Sequence, residues 1–241
     1  MKILSIGNSF SQDAQKWLHK LARLNGFNVE TANLYIGGCS LEKHWNNVVN
    51  DNEHYVLELN GSSTEQKISI SKALKMEEWD IVTLQQVSNL SGLPKSYQPY
   101  LLELAKVVRE ALPDTKLYFH QTWAYESDST NCGFLSYNND QAEMFRCIKE
   151  ASEKAAETVN AEIIPTGTII QTLRDTVPEF DYKNGGLSLC RDALHLSLDY
   201  GRFAAAATWL HTITGQKIRT TDFEDFNPNF LKKILDVVNE L

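Results

Sequence analysis

Short apolar runs, each closed by a small-residue or polar turn and followed by a helical pattern, recur along this chain, and that alternation restricts its fold more than any other feature. Residues 2–6 end at Gly7-Asn8-Ser9, after which Trp17, Leu18, Leu21, Ala22 and Leu24 share one face of a helix stopped by Asn25-Gly26. Residues 28–36 read as a second strand ending at Gly37-Gly38, and Ser40 caps a helix carrying Leu41, Trp45, Val48 and Val49. Strands at 80–84, 116–122 and 162–165 continue the series, with helices at 100–112, 139–159 and 168–174. Residues 175–194 are irregular, and 199–214 and 228–241 read as closing helices. Residues 55–59 and 67–70 flank Asn60-Gly61-Ser62-Ser63, which predicts a β-hairpin inserted near 54–71. Strands separated by helices pair in parallel through right-handed crossovers, so the expectation is an α/β fold: one domain over 1–241, a three-layer α/β/α sandwich around a mostly parallel sheet of about five strands.

Composition agrees with a folded chain and narrows its partners. Of 241 residues, 42% are hydrophobic and only 12 are Gly and 6 Pro, which excludes collagen-like and disordered classes. Lys and Arg number 23 against 31 Asp and Glu, and a net charge of −8 with no basic patch disfavours a nucleic-acid partner. The longest apolar stretch, near 203–210, falls far short of the roughly 20 residues of a membrane-spanning helix, so no membrane partner is expected. The amino terminus lacks the apolar region of a signal peptide, which predicts a cytoplasmic protein. Cys39, Cys132, Cys147 and Cys190 show no CxxC spacing, so free, inert thiols are expected, with neither a metal nor an organic cofactor.

In parallel sheets, ligands collect beyond the carboxyl ends of the strands. There the chain places Gly7-Asn8-Ser9-Phe10-Ser11, where the hydroxyl of Ser9 projects at a helix entrance and nearby amide N–H groups favour developing negative charge. It places Asp192-Ala193-Leu194-His195, a spacing that lets a carboxylate accept from one ring nitrogen while the other faces a nucleophile. It also places Gly37-Gly38, which lack a Cβ and let backbone N–H groups approach a substrate oxygen. Each has a plainer meaning taken alone: Ser9 or Ser11 as a helix cap, the Asp-x-x-His spacing as chance, the glycines as a turn. Their joint occurrence at the ends of the first, second and last α/β units is the argument for acyl-transfer chemistry.

On these blocks the chain resembles the SGNH (GDSL-type) hydrolase superfamily, and within it the DUF4886-type domains, over nearly its whole length. Gly7-Asn8-Ser9-Phe10 stands at the Gly-Asp-Ser-Leu block, Gly37 or Gly38 at the second-block Gly, and Asp192 and His195 at the closing Asp-x-x-His. The resemblance implies the flavodoxin-like SGNH fold, with Ser9 as nucleophile, His195 as general base and acid, Asp192 as its orienter, and the Ser9 and Gly38 amides as oxyanion donors. The third block departs from the family: Gly-x-Asn-Asp is replaced by Gln85-Gln86-Val87-Ser88-Asn89-Leu90. Asn89 falls at the expected Asn, Val87 replaces the Gly, and Gln85 is similar to the leading Gln of Gln-Gly-Glu-Ser-Asn in the sialate O-acetylesterase branch. Either Asn89 or Gln85 is thus a candidate third oxyanion donor.

The activity implied is a serine esterase that removes a small acyl group, acetyl from a carbohydrate hydroxyl by family analogy, through an acyl-enzyme on Ser9. Trp45 and Trp123 are candidate substrate-binding residues, with His44, His120 and Tyr125 as further pocket candidates; a core position is the plainer reading for all of them. An α/β-hydrolase elbow, Gly-x-Ser-x-Gly, is excluded because Ser11 occupies its fifth position. The competing reading is a non-catalytic glycan- or phospho-ligand-binding domain, with an anion cradled at the first helix; it leaves Asp192 and His195 without a role.

Overall fold

The structure, a computed structural model, describes residues 1–241. In chain order it contains β1 (Lys2–Gly7), α1 (Ser9–Gln15), α2 (Leu18–Leu24), β2 (Glu30–Tyr35), α3 (Leu41–Val49), β3 (Tyr55–Leu59), β4 (Ser62–Ile68), α4 (Ile70–Leu74) and β5 (Ile81–Leu84). Then follow α5 (Tyr100–Ala111), β6 (Lys116–His120), α6 (Gln141–Thr158), β7 (Glu162–Ile164), α7 (Thr166–Thr176), α8 (Tyr200–Thr214) and α9 (Pro228–Val238).

The sheet has seven strands in the order β4-β3-β2-β1-β5-β6-β7, not five. The five expected parallel strands are its centre and one flank; the extra two are the hairpin, which does not stand apart. Instead β3 pairs antiparallel with β2, Leu57 opposite Leu34 and Val56 opposite Tyr35. An unpaired β2 edge would leave a row of open backbone groups, and β4, Ser-Ser-Thr-Glu-Gln-Lys-Ile, ends the sheet with side chains that are mostly exposed and polar.

Both faces of the central strands are covered, so their sequences are continuous apolar runs whose period of two sorts side chains between two cores. Ile3, Ile81 and Tyr118 point into one core, with α1, α2, α7, α8 and α9. Leu4, Ile6, Val82, Leu84, Leu117 and Phe119 point into the other, with α3, α4 and α5.

The helix expected after β1 is two helices. The chain turns at Lys16 and Trp17, which are anchored in different places: Lys16 Nζ donates to the Gly61 carbonyl in the hairpin turn at 2.9 Å, and the Trp17 indole donates to the Leu198 carbonyl at 3.1 Å. The face that α1 turns to the sheet is unusually polar. Ser11 and Gln15 are buried; Ser11 Oγ meets Asn33 Oδ1 at 2.7 Å, and Gln15 Nε2 donates to Ser5 Oγ, which is paired in turn with Thr83 at 2.7 Å. No helix is long and apolar enough to cross a membrane.

Candidate active site

The turn from β1 into α1 is built so that capping uses other side chains and spares Ser9. Asn8 is the N-cap: its Oδ1 accepts from the Phe10 N–H at 3.0 Å, and its own N–H donates to Ser11 Oγ at 3.0 Å. Ser11 folds back so far that a Cβ on Gly7 would lie 2.1 Å from its hydroxyl, so only glycine fits at position 7. With both capping bonds made by Asn8 and Ser11, the Ser9 hydroxyl at the first helical position remains for His195, whose Nε2 lies 2.9 Å away.

The other imidazole nitrogen, Nδ1, is 2.8 Å from Asp192 Oδ2. An ionised carboxylate only accepts, so Nδ1 carries the proton and Nε2 presents its lone pair to the serine O–H. Asp192 Oδ1 accepts the Leu194 and His195 backbone N–H groups at 3.1 and 2.6 Å, in a tight turn that holds Ala193 at a left-handed φ of 59°. Partial burial raises the Asp192 pKa, but the bonds and charge of His195 and the Leu194 N–H outweigh it, and the carboxyl is held below its ordinary 3.8.

Three ion pairs, each with a buried carboxylate and none announced by a sequence motif, fix this loop. Asp13, fully buried on α1 one turn beyond Ser9, accepts from Arg191 at 3.0 Å, from Arg202 at 2.7 Å and from the Leu196 N–H at 2.9 Å. The helix bearing the serine is thereby tied to the residues on either side of Asp192 and His195. Behind it, Glu126 accepts from Arg174 at 3.3 Å and from Ser188 Oγ at 2.7 Å, and the Glu126 N–H donates to the Ala193 carbonyl. The one available clue in the sequence was an acidic residue, Asp13, at a helix position flanked by core residues.

The remaining candidates separate. Gly38 lies exposed in the β2–α3 turn with φ of 63°, and Asn8 Nδ2 donates to the next carbonyl, that of Cys39, at 3.0 Å. The second-block glycine is thus tied to the serine turn. Gln85 is buried, and its amide is engaged on both sides, Nε2 donating to Asn8 Oδ1 at 2.7 Å and Oε1 facing His120 Nδ1 at 2.7 Å. Gln85 is thus held between Asn8 and His120, with one amide N–H committed to Asn8. Asn89 sits half-buried in a short 3-10 turn outside that network, its carbonyl accepting from the Tyr137 hydroxyl.

Trp123 offers no face to ligand. Trp123 is fully buried, stacked on Phe10 with ring centroids 4.0 Å apart, and its indole donates to the Leu194 carbonyl at 2.9 Å. Phe10 in turn meets the His195 ring edge-on at 6.0 Å, so Trp123 is a back wall of the site. Trp45 packs half-buried on α3 against the core of the opposite sheet face. His44, Tyr125 and His120 are likewise buried, His44 between the Cys39 thiol and the Tyr55 hydroxyl, Tyr125 on Ser88. All four thiols are free; Cys39 and Cys190 belong to different cores, and burial pushes each up to about 12.

No group of three or more His, Cys, Asp and Glu side chains is arranged to hold a metal ion. A cavity of about 800 Å³ lies around Trp79, Asp80 and Tyr118 at the far end of the sheet, away from Ser9. Another, of about 260 Å³, lies on the far side of Asp192, between residues 128–131 and 192–194.

Residues 2–232 match the family model described as Domain of unknown function (DUF4886). The chain belongs to the DUF4886 family. A solved DUF4886 family protein from Bacteroides uniformis is 37% identical with a TM-score of 0.91, over 100% of this chain and 93% of that one. A candidate SGNH hydrolase from Slackia heliotrinireducens shares the fold at 20% identity, TM-score 0.60, over 88% of this chain and 98% of its own. So does a Geobacillus acetyl-xylooligosaccharide esterase variant, at 13% identity, TM-score 0.56, over 91% and 96%. The fold of this DUF4886 chain is therefore that of the SGNH hydrolases. No curated protein matches its sequence.

Proposed function

We propose that the protein is a serine esterase that removes a small acyl group, acetyl on a carbohydrate hydroxyl, through an acyl-enzyme on Ser9. The observation that carries this reading is the unbroken hydrogen-bond chain from Ser9 Oγ to His195 Nε2 and from His195 Nδ1 to Asp192, at 2.9 and 2.8 Å. A serine that merely capped its helix would bond to its own turn, and that work falls to Asn8 and Ser11.

In the reaction, His195 Nε2 takes the Ser9 proton as Oγ attacks the ester carbonyl. Asp192 holds the ring in the required tautomer and offsets the charge of the imidazolium. The oxyanion rests on the backbone N–H groups of Ser9 and Gly38, with the Asn89 amide as third donor. The imidazolium then gives its proton to the leaving alcohol, and water attacks the acyl-enzyme by the same route in reverse. The exposed Gly37 and Gly38 leave room for a bulky alcohol. The carbohydrate is carried over by analogy from the acetyl-xylooligosaccharide esterase of like fold.

The test is release of p-nitrophenol from acetate and butyrate esters by the wild-type chain, Ser9→Ala and His195→Ala. Acetate hydrolysis abolished by both substitutions supports the reading, and a high acetate-to-butyrate ratio supports the short acyl group. If all three chains match the blank and a fluorophosphonate leaves Ser9 unlabelled, the reading fails and a binding domain replaces it.

A further inference from the structure

Behind the serine turn runs a line of buried polar side chains whose orientations are all dictated from its ends. The Cys39 carbonyl only accepts, so the Asn8 amide turns its Nδ2 to it, 3.0 Å away, and its Oδ1 to the Phe10 N–H. Asn8 Oδ1 therefore faces Gln85 as an acceptor, and Gln85 must present Nε2, at 2.7 Å. That leaves Gln85 Oε1 toward His120, so His120 Nδ1 carries the proton, donating at 2.7 Å. His120 Nε2 is then a bare acceptor, and the Thr166 hydroxyl donates to it at 3.1 Å. Four side chains from β6, α7, the end of β5 and the β1–α1 turn form one directed chain, closed around His120 by the rings of Trp123 and Trp209.

Asn8 is where this chain acts. It bridges the turn carrying the Ser9 N–H and the turn carrying the Gly38 N–H. An Asp at this position would, when ionised, accept from Phe10 and Gln85 but repel the Cys39 carbonyl. We propose that Thr166, His120 and Gln85 are positioning residues that orient Asn8 as a strut, setting the spacing of the two backbone oxyanion donors without touching substrate. The proposal rests on the esterase reading. The titratable groups along the chain are His120 and Cys39, and burial keeps both neutral, pushing His120 down to about 3 and Cys39 up to about 12.

The experiment compares wild type, Ser9→Ala, Gln85→Leu, Gln85→Glu and Asn8→Asp by kcat and KM on p-nitrophenyl acetate from pH 5 to 9, with thermal unfolding and amide NMR. Displaced donors cost on the order of 10–10² in kcat for Gln85→Leu, with KM within about twofold. The carboxyl introduced by Gln85→Glu donates to Asn8 Oδ1 only when protonated, so the ratio of its kcat to that of wild type rises as pH falls. A merely structural role lowers all pH points together. Asn8→Asp keeps the cap and the shape, and covers the case in which a Gln85 variant does not fold; it too is expected to lower kcat at constant KM.

An unchanged kcat in folded Gln85→Leu, or in Asn8→Asp, overturns the proposal, and so does a pH-independent ratio for Gln85→Glu. Equal rates for wild type and Ser9→Ala overturn the esterase reading instead. In that event NMR still decides the strut: Gln85→Leu is expected to shift the Ser9 and Gly38 amide resonances together and to abolish a slowly exchanging His120 Nδ1–H. Unmoved amides overturn it.

Discussion

The two halves of the site are held by opposite kinds of chemistry. The Ser9 turn rests on neutral hydrogen bonds among Asn8, Gln85, His120 and Thr166, and the carboxylate beside it, Glu58, is met by the amides of Gln12 and Asn33. The Asp192–His195 loop hangs on full charges, Asp13 with Arg191 and Arg202, and Glu126 with Arg174. The difference follows from backbone context. The serine turn is the continuation of a central strand, already fixed by β2 and β5 on either side, and needs only orientation. The histidine loop has no ladder beyond the single bridge of Cys190 with Leu196, so charged bonds, roughly twice as strong as neutral ones, hold it.

That contrast can be broken in order of effect. Ser9→Ala and His195→Ala remove the groups proposed to react and are expected to lower kcat by on the order of 10⁴–10⁶ with the thermal midpoint unchanged, read by steady-state kinetics beside calorimetry. Asp192→Asn leaves the ring without its orienter and is expected to cost up to about 10⁴ in kcat, again with little change in stability. If that variant keeps wild-type turnover, the loop acts without its acid.

Asp13→Ala removes the buried carboxylate that Arg191 and Arg202 share and is expected to cost about 1.5–3 kcal/mol in urea unfolding, besides activity. No change in stability there would mean that the loop does not depend on charge. Gly38→Ala forces a side chain into a left-handed backbone with open space around it, so a loss of about 1 kcal/mol is expected, from strain alone. A loss several times larger would point to a clash.

The smallest effect is one of pH. The Asp192 carboxyl is held below 3.8 in the folded chain, so its contribution to stability is complete above the unfolded value and fades as pH falls through the depressed one. The stability gap between wild type and Asp192→Asn should therefore be constant from neutral pH to about 5 and shrink below 3.8. A gap that persists at pH 2 would contradict the sign of that shift.

Much of this was legible in the chain itself, because its sources are local. The central strands announce themselves as apolar runs ending in Gly7 and Gly38, and the spacing of Asp192 and His195 follows from a single turn. The hairpin could be read from Asn60-Gly61, but not that it extends the sheet, since pairing of β3 with β2 depends on an edge that exists only once the sheet forms. Trp123 looked like a ligand platform for the same reason: an aromatic residue after a strand has one sequence signature, whether its face meets Phe10 or solvent.

Sequence by itself determined the layer architecture and named the groups proposed to react, since both depend on residue type and on spacings within one α/β unit. Only tertiary structure decided which groups do support work. Gln85 is held between Asn8 and His120 because β6 brings His120 to its far side, and Asp13 matters because residues 191 and 202 return to α1 from the other end of the chain. Hydrogen bonds and ion pairs between distant segments have no period and no local propensity, so they become visible only when the chain has closed on itself.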